Sequence, residues 1–291
     1  MSDSTFPIIL AHGIARFDIL REILLEKLHI SEDEAGDELD YFKGIKSYLE
    51  SNGFEVHHTN VDFAGPVKVR AGQLSDQVNQ ILDGRPSCKV HIIGHSMGGL
   101  DARHMIVDVA GMADKVASLT TIGTPHLGTC VADFAMSRGG SRIIDSLKPL
   151  IDLRGFEDLT TVSCRSFNDR AKDKEASNSV VYRTYAASQE RDHVFLPLQV
   201  SWFIINHTEG ENDGLASVSS QQWNGRLIGS DGREKPVEQF RFPIPADHLN
   251  EVGWWDLQET NPVTAFLHLE KEKEEYENKI RNIYLQIAQK L

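Results

Sequence analysis

Short apolar runs and longer stretches of helical spacing alternate along the first half of the chain. The strand-like runs are residues 7–11, 54–56, 89–93 and 116–122. Between the first three, residues 41–49 and 69–82 place apolar side chains three and four positions apart, which is typical of a helix with one buried face. Strands that alternate with helices predict a parallel sheet with helices on both faces.

The second half of the chain is less regular. Further strands are predicted at 180–186 and 237–242, with a long irregular region between them, and a terminal helix is predicted within 262–291. Apolar residues at helical spacing within 129–167 predict two amphipathic helices, and the pattern alone favours apolar faces packed in the core over a mobile cover. With 291 residues, 40% of them hydrophobic, the chain is expected to form a single α/β domain over residues 1–291.

Composition excludes several classes of protein. A formal net charge of -13 argues against a nucleic-acid partner, because a phosphate-binding surface needs clustered Lys and Arg. No apolar run approaches the roughly 20 residues of a membrane span. The first five residues lack the positive charge and apolar core of a secretory signal. We therefore expect a soluble protein that is cytoplasmic or exported by a route without a signal peptide.

A candidate nucleophile follows the strand at 89–93. The segment Gly94-His95-Ser96-Met97-Gly98 has the GxSxG pattern and leads into a helix-like stretch at 100–109. A lone GxSxG occurs by chance in unrelated chains, but a strand before it and a helix after it predict a nucleophile elbow. In such an elbow the small residues two before and two after the serine leave room for a strained turn.

A serine hydroxyl needs a histidine to accept its proton and a carboxylate to orient that histidine. In α/β-hydrolases the order along the chain is Ser, then the acid, then His. The histidines far enough downstream are His193, His207, His248 and His268. His248 is the candidate base because it alone follows the last predicted strand in a loop before further helix.

The acid is less clearly marked. Asp213 lies in the polar turn Asn212-Asp213-Gly214, from which a short carboxylate can reach a buried imidazole. The local sequence leaves Asp192, Glu209 and Glu211 as alternatives. The oxyanion hole requires two backbone N–H groups, one after the serine and one after the first strand. Met97 and Ile14 occupy those positions.

Taken together, these motifs resemble the bacterial true lipases of the Pseudomonas, Burkholderia and Proteus type. The matching segments, 7–14, 69–74, 94–100, 120–128, 212–215 and 247–249, run through most of the chain. The resemblance implies Ser96 as nucleophile, Asp213 as acid, His248 as base, and Ile14 and Met97 as oxyanion donors. It also implies an α/β-hydrolase fold in which residues 129–167 hold a helical lid.

The resemblance raises the question of a structural calcium ion and leaves it open. Such lipases commonly hold Ca²⁺ with two aspartates, one of them two residues after the base, and this chain has Asn250 there. An asparagine oxygen is a neutral ligand, so the affinity would fall, and Asp192 is the nearest candidate for the other aspartate. Val218 stands where members with a disulfide carry cysteine, which favours the signal-less, disulfide-free branch without a foldase. No organic cofactor is expected.

Three functions are compatible with these residues. The leading hypothesis is a serine carboxylester hydrolase that cleaves acylglycerols at a lipid–water interface, that is, a triacylglycerol lipase. The alternative is a soluble short-chain esterase or acyl transferase that needs no interface. A binding module with a hydrolase fold is disfavoured, because every part of the nucleophilic apparatus is present.

Overall fold

A computed structural model of the chain describes residues 6–14, 36–37, 39–63, 65–137, 153–254 and 265–291. Its centre is one seven-stranded sheet with the order β2-β1-β3-β4-β5-β7-β6. The strands are β1 (Ile8–Ala11), β2 (Val56–His58), β3 (Val90–His95), β4 (Val116–Ile122), β5 (Val181–Ala186), β6 (Arg226–Ile228) and β7 (Glu234–Arg241). All neighbours pair in parallel except β6, which runs antiparallel to β7 at one edge. The predicted mostly parallel sheet is therefore confirmed.

Helices cover both faces of this sheet. In chain order they are α1 (Ile45–Ser51), α2 (Val67–Ile81), α3 (Met97–Asp108), α4 (Met112–Lys115), α5 (Cys130–Met136), α6 (Thr161–Ser177), α7 (Gln199–Thr208), α8 (Val218–Gln222) and α9 (Ala265–Ala288). One core contains Leu74 of α2 and Met105 of α3. On the other face, Leu49 of α1 and Ile280 of α9 pack together. None of the helices in the described ranges is long and apolar enough to cross a membrane.

The structure departs from the sequence prediction between β5 and β7. This region is not irregular, because it contains α7, α8 and short 3-10 helices at Arg191–His193 and Leu196–Leu198. Helix α7 carries apolar residues on several sides, including the exposed Phe203, so it lacks the single apolar stripe that marks an amphipathic helix.

The predicted lid segment, 129–167, is described only in part. It begins with α5 and continues, after residues 138–152, which lie outside the described ranges, with a 3-10 helix at Leu153–Leu159. Helix α6 then starts within the segment and extends well beyond it, to Ser177. Helix α5 packs against this 3-10 helix and against α7. These elements lie next to the carboxyl ends of the strands, where ligands bind in open α/β sheets.

A buried ion pair joins α3 to α6. Arg103 Nε and one terminal nitrogen donate to the two carboxylate oxygens of Glu175 at 2.8 and 2.9 Å, and both side chains are almost fully buried. The guanidinium also lies 3.7 Å from the centre of the Trp223 ring. Removing one partner of such a pair leaves an uncompensated buried charge.

We expect Arg103→Met to lower the free energy of unfolding by about 3 to 5 kcal/mol, because Glu175 would lose its countercharge in the protein interior. Arg85→Met is the matched control. Arg85 pairs with Glu55 at 2.9 Å on the surface, where loss of an ion pair costs at most about 1 kcal/mol. Denaturant unfolding with comparable slopes measures both changes. Equal losses in the two variants would contradict the role given to the buried pair.

Candidate active site

Ser96 lies at the junction between β3, which ends at His95, and α3, which begins at Met97. Its backbone has φ 56° and ψ -132°, a region that non-glycine residues rarely occupy. The close packing of the turn requires glycine at position 98, because a Cβ there would lie 2.2 Å from the carbonyl oxygen of Ala11. This strained turn presents the Ser96 hydroxyl at the carboxyl end of the sheet, as a nucleophile elbow does.

The structure brings Ser96, His248 and Asp213 together. Ser96 Oγ lies 2.8 Å from His248 Nε2, and His248 Nδ1 lies 2.8 Å from Asp213 Oδ2. All three residues are buried. Because a carboxylate only accepts, Nδ1–H donates to Asp213, and Nε2 is left to accept the hydroxyl proton of Ser96. This is the arrangement of a serine nucleophile, a general base and an orienting acid.

Asp213 is fixed by the turn that contains it. Its Oδ1 accepts backbone N–H groups from Leu215 and Ala216, both at 2.7 Å, and its carbonyl oxygen accepts the N–H of His248 at 2.9 Å. The other candidate acids are engaged elsewhere. Glu209 accepts from the backbone of Cys130, and Glu211 pairs with Arg241 at the surface.

Three of the remaining candidates for the acid and the base are exposed. Asp192 is exposed, in the short 3-10 helix before α7. His193 is exposed in the same turn, and His207 is exposed on α7. His268 lies in α9. The choice of Asp213 and His248, which rested partly on family resemblance, therefore matches the geometry.

The segment before Ile14 is held by hydrogen bonds at each residue. Arg70 donates to the carbonyl oxygen of His12 at 2.9 Å, and the His12 ring bonds the carbonyl oxygen of Gly13 through Nδ1 at 2.8 Å. Burial lowers the pKa of His12 to about 3, so the ring is neutral. In a trans peptide the C=O and N–H groups point in opposite directions, so fixing the Gly13 carbonyl fixes the direction of the Ile14 N–H.

The two predicted oxyanion residues meet beside a narrow pocket. Ile14 Cγ2 and Met97 Sδ lie 3.3 and 3.4 Å from the position that a Cβ would occupy at residue 155. Ser96 and His248 reach a cavity of about 30 Å³ whose other walls are mainly apolar: Ile14, Tyr41, Pro125, Thr129, Val131, Phe156, Leu159, Leu198, Leu215, Ala216 and Leu249. That volume is roughly the space of one water molecule.

Sequence reasoning missed three buried residues beside His248. Tyr41 Oη lies 2.6 Å from His95 Nδ1, and His95 Nε2 lies 2.9 Å from Glu251 Oε2. The same Glu251 oxygen is 4.0 Å from His248 Nδ1, and the two histidine rings are 4.5 Å apart. The spacing of Glu251, three residues after His248, was the available sequence signal, because a turn of 3-10 helix brings such residues to one side.

Burial favours the neutral form of the Glu251 carboxyl group. Burial raises its pKa well above the ordinary value, and the nearby charges of Asp213 and Asp247 raise it further. Burial, together with the charge of His248, also lowers the pKa of His95 far below its usual value. Gly123 leaves the space for this carboxyl group, because a Cβ there would lie 2.1 Å from Glu251 Oε2. Asp213, at 2.8 Å, is therefore the carboxyl group that bonds His248 Nδ1, while Glu251 lies at 4.0 Å from the same atom.

Calcium at Asp192 and Asn250 stays a prediction. The Asn250 side chain is buried and already bonded, since its Oδ1 accepts from the backbone of Asp247 at 3.2 Å and its Nδ2 donates to Trp254. Of the two predicted ligands, only Asp192 has a carboxyl group to offer a calcium ion. Among the described residues, the one group of three acidic, histidine or cysteine side chains close enough to share a metal is His95, His248 and Glu251. Both ring nitrogens of His95 and of His248, and Oε2 of Glu251, already take part in the hydrogen bonds described above.

The sheet order, the elbow after β3 and the histidine after the last parallel strand define an α/β-hydrolase. The chain belongs to the family of PGAP1-like alpha/beta domains, which matches residues 46–207. It is 26% identical over 288 residues to triacylglycerol lipase 2 of Saccharomyces cerevisiae, covering 85% of this chain and 80% of that protein. It is 28% identical over 301 residues to a triacylglycerol lipase of Vibrio cholerae, covering 91% and 86%.

Solved structures show the same fold. The mature form of the Bacillus licheniformis lipase BlEst2 superposes with a TM-score of 0.62 and 18% identity over 85% of this chain and 86% of that one. The α/β-hydrolase fold predicted from the sequence is therefore confirmed. The relatives also confirm the predicted resemblance to lipases in general.

We expect Glu251→Gln to gain stability relative to the wild type as pH rises. Native Glu251 holds a proton that the unfolded chain releases near pH 4.5, so its contribution to stability is complete below that pH and is lost as pH rises towards the folded pKa. Glutamine has no such loss. From pH 5 to pH 8 the difference in unfolding free energy should therefore move in favour of the variant, by at most about 1.4 kcal/mol for each pH unit.

Denaturant unfolding at several pH values measures this difference. The control is Glu190→Gln, because Glu190 is exposed and surface substitutions change stability by about 0.5 kcal/mol or less. A difference between Glu251→Gln and the wild type that is constant with pH would show that Glu251 is ionised in the folded protein.

Proposed function

We propose that this protein is a triacylglycerol lipase that works through an acyl-enzyme on Ser96. The observation that carries the proposal is the buried pair of 2.8 Å hydrogen bonds joining Ser96, His248 and Asp213. The protein is a carboxylic ester hydrolase, and the relatives named triacylglycerol lipase match it over most of both chains. The motifs shared with the Pseudomonas, Burkholderia and Proteus type support a place close to the bacterial true lipases.

In the first half of the reaction, His248 Nε2 takes the hydroxyl proton of Ser96 as Oγ attacks the ester carbonyl carbon. The N–H groups of Ile14 and Met97 bind the resulting oxyanion, and Asp213 stabilises the imidazolium. When the tetrahedral intermediate collapses, the C–O bond to the alcohol breaks. His248 returns its proton to the departing alcohol oxygen, and the acyl group remains on Ser96.

Water completes the cycle by the same route. His248 takes a proton from a water molecule as the water oxygen attacks the acyl carbon. When the carboxylic acid leaves, His248 returns that proton to Ser96 Oγ. The mainly apolar pocket suits the hydrocarbon part of this acyl group. Ser96, His248 and Asp213 supply every proton transfer in this mechanism, so none of its steps calls for a metal ion.

We expect Ser96→Ala to lower kcat for a p-nitrophenyl ester at least about 10,000-fold, because the variant has no nucleophile. An organophosphonate should label Ser96 in the wild type and leave the variant unlabelled. Ser51→Ala is a suitable control, since Ser51 Oγ is exposed and bonds its own helix. Mass spectrometry locates the label, and turnover that survives in Ser96→Ala would exclude the mechanism.

A set of exposed apolar side chains supports the interfacial form of this activity. We call it the apolar rim; it consists of Phe134, Met136, Leu196, Val200 and Phe203. Phe134 is 48% exposed on α5 and Phe203 is 52% exposed on α7, and these helices pack together. Residues of the same region, Val131 and Leu198, line the pocket. Apolar side chains around an apolar pocket suit contact with a lipid surface.

Part of the apolar rim lies in the predicted lid segment. Helix α5 and the 3-10 helix at Leu153–Leu159 belong to the segment predicted to cover the site, and both contribute pocket walls. We propose that these walls separate when the apolar rim contacts lipid, because the closed pocket is too small for an acyl chain. A short-chain esterase or acyl transferase would not depend on such contact.

We expect the double variant Phe134→Ser with Phe203→Ser to lose the rise in rate that the wild type shows when a triacylglycerol passes its solubility limit. Hydrolysis of a dissolved short-chain ester should stay within about threefold, because neither residue lines the pocket. Ile228→Ser is the control, because Ile228 is 55% exposed on β6. It pairs with the first residue of β7 and so lies at the amino end of that strand, whereas the active site lies at the carboxyl ends of the strands. A wild type without such a rise would favour the esterase.

A further inference from the structure

Tyr41 occupies a position where two parts of the active site meet. Its hydroxyl lies 2.8 Å from the place that a Cβ would take at Gly13, and Ser96 Oγ lies 3.1 Å from the same point. The residue is buried, and its ring lines the pocket. The hydroxyl is thus close both to the nucleophile and to the residue that precedes Ile14.

Two hydrogen bonds define what the hydroxyl does there. The backbone of Gly13 hydrogen-bonds to the Tyr41 oxygen, and this contact lowers the pKa of the phenol, although burial is the larger effect and raises it. An interaction that lowers the pKa of a phenol is one in which the oxygen accepts, so Gly13 N–H is the donor. The hydroxyl proton is then directed to His95 Nδ1, 2.6 Å away.

The direction of donation continues to Glu251. Because Nδ1 of the neutral His95 accepts from Tyr41, its proton lies on Nε2, which donates to Glu251 Oε2 at 2.9 Å. His95 immediately precedes Ser96, and the Glu251 oxygen lies 4.0 Å from His248 Nδ1. A single chain of hydrogen bonds therefore links the backbone before the first oxyanion donor to the surroundings of the base.

We propose that Tyr41 is a positioning residue for the oxyanion hole of the proposed esterase reaction, on which this inference rests. The His12 ring fixes the carbonyl oxygen of Gly13, and Tyr41 fixes the N–H of the same residue. The Gly13 carbonyl and the Ile14 N–H belong to the same peptide group. Because both polar groups of Gly13 are held, the orientation of that peptide group is fixed, and the Ile14 N–H is in place before substrate arrives. Preorganised donors of this kind stabilise the transition state rather than the bound substrate.

The test is Tyr41→Phe, which keeps the ring in the pocket and removes the oxygen. Loss of one oxyanion donor costs about 100- to 1,000-fold in kcat, so a donor that is present but loosely held should cost about 10- to 100-fold. KM for a dissolved p-nitrophenyl ester should stay within about threefold. The rate constant for organophosphonate labelling should fall by a factor similar to that for kcat, because its phosphoryl oxygen occupies the same hole.

Tyr182→Phe is the matched control. Tyr182 is also buried, and its hydroxyl accepts from Asn178 at 2.9 Å, but it packs in the core around α2 and α3. It should lose stability without a change in kcat per active site titrated with the phosphonate. If Tyr41→Phe does not accumulate in folded form, His95→Leu removes the acceptor of the Tyr41 hydroxyl and should likewise lower kcat at nearly constant KM.

The outcomes separate this inference from the function on which it rests. If the phosphonate fails to label Ser96 in the wild type, the proposed function itself is wrong. If the wild type is labelled and Tyr41→Phe matches it in kcat and labelling rate, the positioning role is wrong and the hydrolase stands. A fall in stability alone, or a rise in KM at constant kcat, also contradicts the positioning role.

Discussion

The backbone of Ser96 occupies a conformation that costs about 1 to 3 kcal/mol, and the surrounding packing holds it there. Its N–H donates to the carbonyl oxygen of Ile122 at 3.0 Å, and its own carbonyl oxygen accepts from Thr124 Oγ1 at 2.8 Å. These bonds tie the turn to β4 and the loop that follows it. The position of the hydroxyl therefore depends on the parallel pairing of β3 with β4.

The polar groups around Ser96 are buried, and each part of the site is held by residues distant in sequence. Arg70 illustrates this, since it bonds Asp101 on α3, the carbonyl oxygen of Asp62 and that of His12. A buried guanidinium is tolerated only when such partners satisfy it. The loop before Ile14 is thus held by Arg70 of α2 and by Tyr41, both distant in sequence, together with its own His12 ring.

The sequence alone was sufficient to predict the site residues that are marked by their order along the chain and by the local pattern around them. Ser96 follows a strand and precedes a helix, and His248 follows the last strand of the parallel series, so both were predicted directly. Asp213 needed family resemblance, because an Asn-Asp-Gly turn occurs in many loops. Tyr41 could not be assigned, and Glu251 was marked only by its spacing from His248, since the roles of both arise from contacts with His95 across the fold.

The same reasoning explains the errors in the fold. Periodicity finds helices with one buried face, and α7 was missed because it presents apolar residues to solvent as well as to the core. Strand β6 pairs only with β7 at the edge of the sheet, and with one buried residue it contains no apolar run. Both elements were missed because tertiary contacts, rather than local composition, determine them.

The proposed oxyanion hole has one further property, which concerns how the protein can change in evolution. Its two donors are main-chain groups, and the contact between Gly98 and Ala11 joins their segments backbone to backbone. The side chains of Ile14 and Met97 lie beside the pocket and take no part in that contact. Substitutions at these two positions can therefore reshape the substrates that are accepted while the geometry of bond cleavage is inherited unchanged.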